Sequence, residues 1–124
     1  MQTGTGAQVD IRERTFAFAV RVVRLCRHLD EKPGVGRTLS RQLLRAGTSI
    51  GANMEEAQSG ASRADFINKV AIALKEARET HYWLRLLQAA QLVPVQRLEG
   101  LKDEAQQLKR ILAAIIVSAK NGRK

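Results

Sequence analysis

Aromatic side chains are scarce in this chain of 124 residues, at 4%, and proline is scarcer, with only Pro33 and Pro94. Few breakers leave long stretches rich in Ala, Leu, Arg, Gln and Glu, which are strong helix formers. Cys26 is the sole cysteine. It excludes an intramolecular disulfide and a multi-cysteine metal site, and it suits a small buried hydrophobe. The longest apolar run, Ile111 to Val117, is far too short for a bilayer. The opening Met1 to Ala7 is polar and Gly-rich, without the basic-then-apolar order of a secretory signal. These features predict a soluble, cytoplasmic protein with no membrane partner.

What is abundant is positive charge. Lys and Arg number 21 against 12 Asp and Glu, giving a net charge of +9 and a pI near 10.6. RNA, DNA or another polyanion is a natural partner for such a chain, the alternative being a solvated surface that happens to be basic.

Four amphipathic segments account for most of the length. The first opens at Asp10, where Asp10 and Glu13 have capping-box spacing, and carries Ile11, Phe18, Val22, Leu25 and Leu29 with Thr15 in the gap. Asp30 to Gly36 is a connector with Pro33, Gly34 and Gly36. The second helix is expected from Arg37, with a stripe of Leu39, Leu43, Ala46, Ile50, Asn53 and Ala57. Ser59 to Ser62 ends it, and Ser62 with Asp65 forms the next N-cap. The third stripe is Phe66, Val70, Ala73, Ala77, Thr80, Leu84 and Leu87. Pro94 suits the first turn of the fourth helix, whose stripe is Leu98, Leu101, Ala105, Leu108, Leu112, Ile115 and Ala119.

Short connectors between such helices imply an up-down-up-down antiparallel four-helix bundle, all-α, over residues 10–120. A tail at 1–9, expected to be flexible, and a basic tail at 121–124 flank it. The stripes leave apolar residues over: Phe16, Ala19, Val20, Val23 and Cys26 on helix one, Ile72, Trp83 and Leu86 on helix three, and Ile111, Ile116 and Val117 on helix four. Such second faces point to self-association or a protein partner.

In the second helix Gly47, Ser49, Gly51 and Ala52 offer little side-chain bulk. Two glycines inside one helix cost about 2 kcal/mol relative to alanine, which a close helix approach would offset. Asn53 falls on the core stripe with Ser49 one turn before it. A buried polar cluster of Ser49 and Asn53 with Glu76 and Glu79 of the third helix is therefore expected.

Arg45 to Ala57, with the core Thr48-Ser49-Ile50-Gly51-Ala52-Asn53 and Glu55-Glu56, is followed by Asp65-Phe66 and by Ile72 to Thr80. Together these segments resemble the bacterial four-helix bundle family that includes the 23S rRNA intervening-sequence proteins. The fold also looks like that of the accessory variability proteins of diversity-generating retroelements. The resemblance covers about Phe16 to Ala119. It implies a cytosolic all-helical protein that assembles as a ring, a homopentamer, with no known catalytic activity. For the retroelement proteins it implies basic surface that binds nucleic acid and a reverse transcriptase.

The chain itself offers no reaction chemistry. Neither His28 nor His81 has Glu or Asp three residues before it, as a two-metal carboxylate site in a bundle requires. Ser49 has no His within a turn, and phosphate-loop patterns are absent. No catalytic, metal or cofactor-binding residue is assigned, and no cofactor is expected. The first reading is thus a non-enzymatic oligomeric scaffold that binds nucleic-acid phosphates. Its candidate contacts are Arg14, Arg21 and Arg24 on helix one and Arg37, Arg41 and Arg45 on helix two. Tyr82 and Trp83 sit inside a helix, where packing is their expected role. The second reading is an interaction adaptor that self-assembles and docks an acidic protein such as a reverse transcriptase.

Overall fold

A computed structural model describes residues 10–59 and 62–122. The tail at 1–9, the end of the basic tail at 123–124, and Gly60-Ala61 of the second connector lie outside the described residues. Four α-helices follow one another: α1 Ile11–Leu29, α2 Val35–Gln58, α3 Arg63–Ala89 and α4 Val95–Lys120. Each packs on the next, and α1 meets α4 through a thinner seam, giving an up-down bundle.

The helix ends follow local chemistry. The Asp10 carboxylate accepts the backbone N–H of Arg12 at 2.8 Å. Glu13 makes no return bond, so the end is a simple cap and not the reciprocal box its spacing suggested. Ser62 Oγ accepts from the Asp65 N–H at 3.1 Å, as expected of its N-cap. α2 begins at Val35, two residues before the Arg37 start read from the sequence, because Gly34 takes φ 128° and lets the chain turn directly into the helix. Pro94 is the residue before α4 rather than in its first turn.

At the α3–α4 turn the Leu92 N–H reaches the Leu87 carbonyl at 3.1 Å and the Gln91 N–H reaches Gln88 at 3.0 Å, a Schellman pattern. Gln91 fills its left-handed position at φ 60°, a site where glycine is the usual occupant.

The core is the convergence of the four stripes. Phe18, Val22, Leu43, Ile50, Val70, Leu84, Leu87, Leu98, Leu108 and Leu112 are fully buried. Thr15 and Thr80 are also buried, and their hydroxyls donate back to the carbonyls of Ile11 at 2.9 Å and Glu76 at 2.7 Å. That satisfies each polar group within its own helix. In α2 the inward position expected of Asn53 belongs to Met54. Residues 53 and 54 both continue the spacing from Ile50, and the apolar side chain takes the interior at no desolvation cost. Cys26, which the sequence left on a second face, is buried against α2. Its thiol donates to the Ser40 carbonyl at 3.4 Å, and Ser40 Oγ donates to the Cys26 carbonyl at 3.3 Å. Burial pushes this thiol above its usual pKa, so it stays protonated and inert.

The small residues of α2 sit where α1 crosses closest. A methyl group on Gly47 would meet the Val22 side chain, and one on Gly51 would lie 3.3 Å from the Thr15 carbonyl oxygen. The close approach inferred from the glycines is therefore real, and α1 is the neighbour that makes it.

Candidate nucleic-acid interface

The six arginines expected to face a polyanion do not act together. Arg14 crosses from α1 to α4, where its Nε and Nη2 donate to the two Glu104 oxygens at 2.7 and 2.8 Å, and Nη2 also donates to Gln107 at 2.8 Å. This fork pins the thin α1–α4 seam. Bonding to Glu104 raises the Arg14 pKa further, so its charge is committed inside the fold. Arg45 is committed in the same way across α2 and α3, pairing with Glu76 at 3.1 Å and with Glu79. Arg37 donates to the backbone carbonyl of Asp30 at 2.8 Å and closes the first connector. Arg14 and Arg45 are thus engaged by carboxylates of a neighbouring helix and Arg37 by a backbone carbonyl, because each lies within reach of an acceptor on another segment.

The polar cluster expected of Ser49, Asn53, Glu76 and Glu79 divides in two. Asn53 Nδ2 donates to the carbonyl and hydroxyl of Ser49 at 2.9 and 3.1 Å, within α2. Glu76 and Glu79 go instead to Arg45, whose longer side chain spans the helix gap that the Asn53 amide does not. Glu79 Oε2 also accepts the indole N–H of Trp83 at 3.0 Å. The bonds from Arg45, and then from Trp83, hold the Glu79 carboxyl below its usual pKa.

Arg21, Arg24 and Arg41 remain exposed and outside every ion pair among the described residues. Arg21 and Arg24, one turn apart on α1, are joined by Arg97 of α4. With Leu25 and Leu101 they line a shallow concavity of about 210 Å³. The Arg21 guanidinium lies over Gly100, where a methyl group would come within 2.8 Å of it. Three arginines line this one concavity with no carboxylate among the lining residues, an arrangement suited to phosphate oxygens. Arg97 was not among the arginines expected, because only the antiparallel packing of α4 on α1 brings it beside Arg24.

The sequence also missed a second basic groove between α3 and α4. It measures about 540 Å³ and is lined by Tyr82, Arg85, Leu86, Gln88, Ala89, Gln91 and Lys102. Lys102 Nζ donates to Gln88 at 2.6 Å. His81, one turn before Arg85, lies 3.4 Å from Lys109. Burial, and then the nearby cations of Lys109, Arg85 and Lys102, hold the His81 pKa below its usual value. Packing, the role expected of both aromatics, fits the half-buried Trp83. Tyr82 departs from it, being 51% exposed. Among the described residues no three His, Cys, Asp or Glu side chains gather into a metal-binding set, and no helix is long and apolar enough to cross a membrane.

Comparison with known proteins gives this bundle its family. A sequence model for the 23S rRNA-intervening sequence proteins matches residues 7–114. The chain belongs to that family. A crystal structure from Bacteroides thetaiotaomicron, described as a protein of unknown function from the S23 ribosomal protein family, is 42% identical to it. The two superpose with a TM-score of 0.81 over 86% of this chain and 98% of that one. No curated protein is significantly similar to the chain. The family match and the structural relative both agree with the resemblance read from Arg45–Ala57, Asp65-Phe66 and Ile72–Thr80, which covered about Phe16 to Ala119.

Proposed function

We propose that this family member is a non-enzymatic, cytoplasmic scaffold that assembles as a homo-oligomer, the pentamer its family resemblance implies, and holds RNA or DNA by the phosphate backbone. The observation that carries this reading is that Arg21, Arg24 and Arg97 line one concavity without a carboxylate among its lining residues. Bringing three like charges together is unfavourable in the free protein, and a polyanion relieves that repulsion while releasing its own counterions. Repetition of the concavity in an oligomer would multiply the effect. Apolar side chains left in water support assembly: Phe16 is 66% exposed and Val117 59%.

The test is a titration of labelled structured RNA and duplex DNA at several salt concentrations, with the oligomer mass measured in the same buffer. Tight binding with a steep salt slope is expected. Replacing Arg21, Arg24 and Arg97 by Glu should flatten the slope by about 2–3 for duplex DNA, since each phosphate contact contributes about 0.9. No binding at low salt would instead favour the adaptor reading, in which the same basic surface docks an acidic protein.

A further inference from the structure

We propose that the α3–α4 groove is a base-stacking site for single-stranded nucleic acid, with Tyr82 as the platform and Arg85 and Lys102 as the phosphate contacts. The proposal rests on the nucleic-acid reading above and goes beyond it, because a stacking ring selects for unpaired bases whereas guanidinium groups alone do not.

Tyr82 is more than half exposed inside a groove whose cations have no carboxylate partner among the described residues. Its ring is not adrift. Trp83 meets it edge to face, with centroids 5.1 Å apart and planes at 72°. The Trp83 indole is tied to Glu79, and Glu79 to Arg45 of α2. An interhelix ion pair thus anchors the aromatic pair and limits the ordering cost that a loose ring would incur on binding. Trp83, Glu79 and Arg45 are positioning residues here, and Tyr82 alone offers its surface to a ligand.

The groove chemistry matches a nucleotide strand part by part. Every base has a π-face that stacks on an aromatic ring, whatever its sequence. The amides of Gln88 and Gln91 carry both donors and acceptors, as base edges do. Arg85 and Lys102 supply cations along the groove, and Lys109, 3.4 Å from the His81 ring, continues the positive potential along α4. The volume of about 540 Å³ falls within the range of small-ligand clefts. In a duplex the base faces are hidden by their neighbours, so the ring gains nothing from double-stranded ligand.

The experiment compares a fluorescein-labelled unstructured oligouridylate and an oligothymidylate with a duplex of equal length, using wild type, Tyr82→Ala and Tyr82→Phe. Circular dichroism confirms that each variant is folded. Tyr82→Ala is expected to weaken single-strand binding by about tenfold, the loss of one stacked base, and to leave duplex affinity within twofold. Tyr82→Phe keeps the ring and should bind single strands like wild type. Arg85→Glu with Lys102→Glu should weaken single strands and lower their salt slope. Equal loss in the two single-strand ligands supports stacking on any base, and a loss confined to either one places the 2′-hydroxyl or the base edge in the same site. If wild type binds single strands and Tyr82→Ala binds them equally well, the stacking site is refuted while phosphate binding stands. If wild type binds none of the ligands at low salt, both fail.

Discussion

Replacing Gly47 by alanine should destabilise this bundle although alanine is the better helix former. A methyl group there would lie 2.8 and 2.9 Å from the two γ carbons of Val22 and 3.2 Å from its Cβ. Carbon pairs rest at about 3.5–4.0 Å, so roughly 0.7–1 Å of separation must be found. Val22 has little means to yield it. It is fully buried, its χ1 is stiff, and both of its γ carbons already face the glycine, so α1 itself must shift. Overpacking of this kind costs about 1–3 kcal/mol, against about 1 kcal/mol returned by helix propensity. The net loss runs up to about 2 kcal/mol, or up to about 8 °C in Tm for a domain of this size. Gly100→Ala supplies the contrast. Its new methyl would meet only the end of the Arg21 side chain at 2.8 Å, which swings away, so helix propensity wins and the protein gains about 0.5–1 kcal/mol. Thermal melts followed by circular dichroism check both. A Gly47→Ala protein that melts at or above wild type would refute the packing account, as would a Gly100→Ala protein as unstable as Gly47→Ala.

Three further expectations concern the α2–α3 contact and the α3–α4 turn. Arg45→Ala leaves the largely buried Glu76 carboxylate without its cation. It should cost about 1–2 kcal/mol in urea unfolding, discounted because the arginine itself is half exposed. The Arg45–Glu79 pair sets an acid limit. Glu79 titrates below its ordinary value of 4.5 in the folded state, so the unfolded chain takes up its proton first. The stability it contributes is therefore present above pH 4.5 and is lost as the pH falls through the lower folded value. The Tm of Arg45→Ala should fall less steeply over that window than the Tm of wild type, and parallel curves would count against the assignment. At the Schellman turn, Gln91→Gly removes the side-chain penalty of a positive φ and should raise stability by about 0.5–1 kcal/mol. An unchanged urea midpoint would show that the turn relaxes around glutamine.

The bundle was legible in the sequence because burial needs only a periodic stripe, and each stripe here reads clearly from Leu43 to Ala57 and from Val70 to Leu87. Local ambiguity shows in α2, where Asn53 and Met54 both fit the spacing and polarity decided between them. The candidate site was far less legible, for a geometric reason. Whether an arginine is available depends on carboxylates that are distant in sequence. Arg14 finds Glu104 and Arg45 finds Glu76 and Glu79 only once the helices are antiparallel neighbours. Arg97 and Lys102 joined the basic surface by the same route. Tyr82 carries no sequence signal that separates it from its neighbour Trp83, since adjacent helical residues point about 100° apart and the packing alone decides which is covered.

The two basic surfaces are separate sites rather than one continuous face, and α4 is the reason. Arg97 and Leu101 border the concavity on its α1 side, while Lys102 and Lys109 face α3. Between them, Glu99 and Asp103 stand one turn apart and exposed on the outer crest of the same helix. A phosphate backbone lying straight across α4 would run over two carboxylates, a like-charge contact that disfavours that path. Ligand is therefore expected to follow either flank along the helix axis. Substitutions in the two sites have no shared partner among the described residues, so their effects on binding should add. Glu99→Gln with Asp103→Gln removes the acidic crest, and the expected result is tighter duplex binding with a steeper salt slope, because one ligand would then reach cations on both flanks. Unchanged duplex affinity in that variant would show that the crest does not divide the surface.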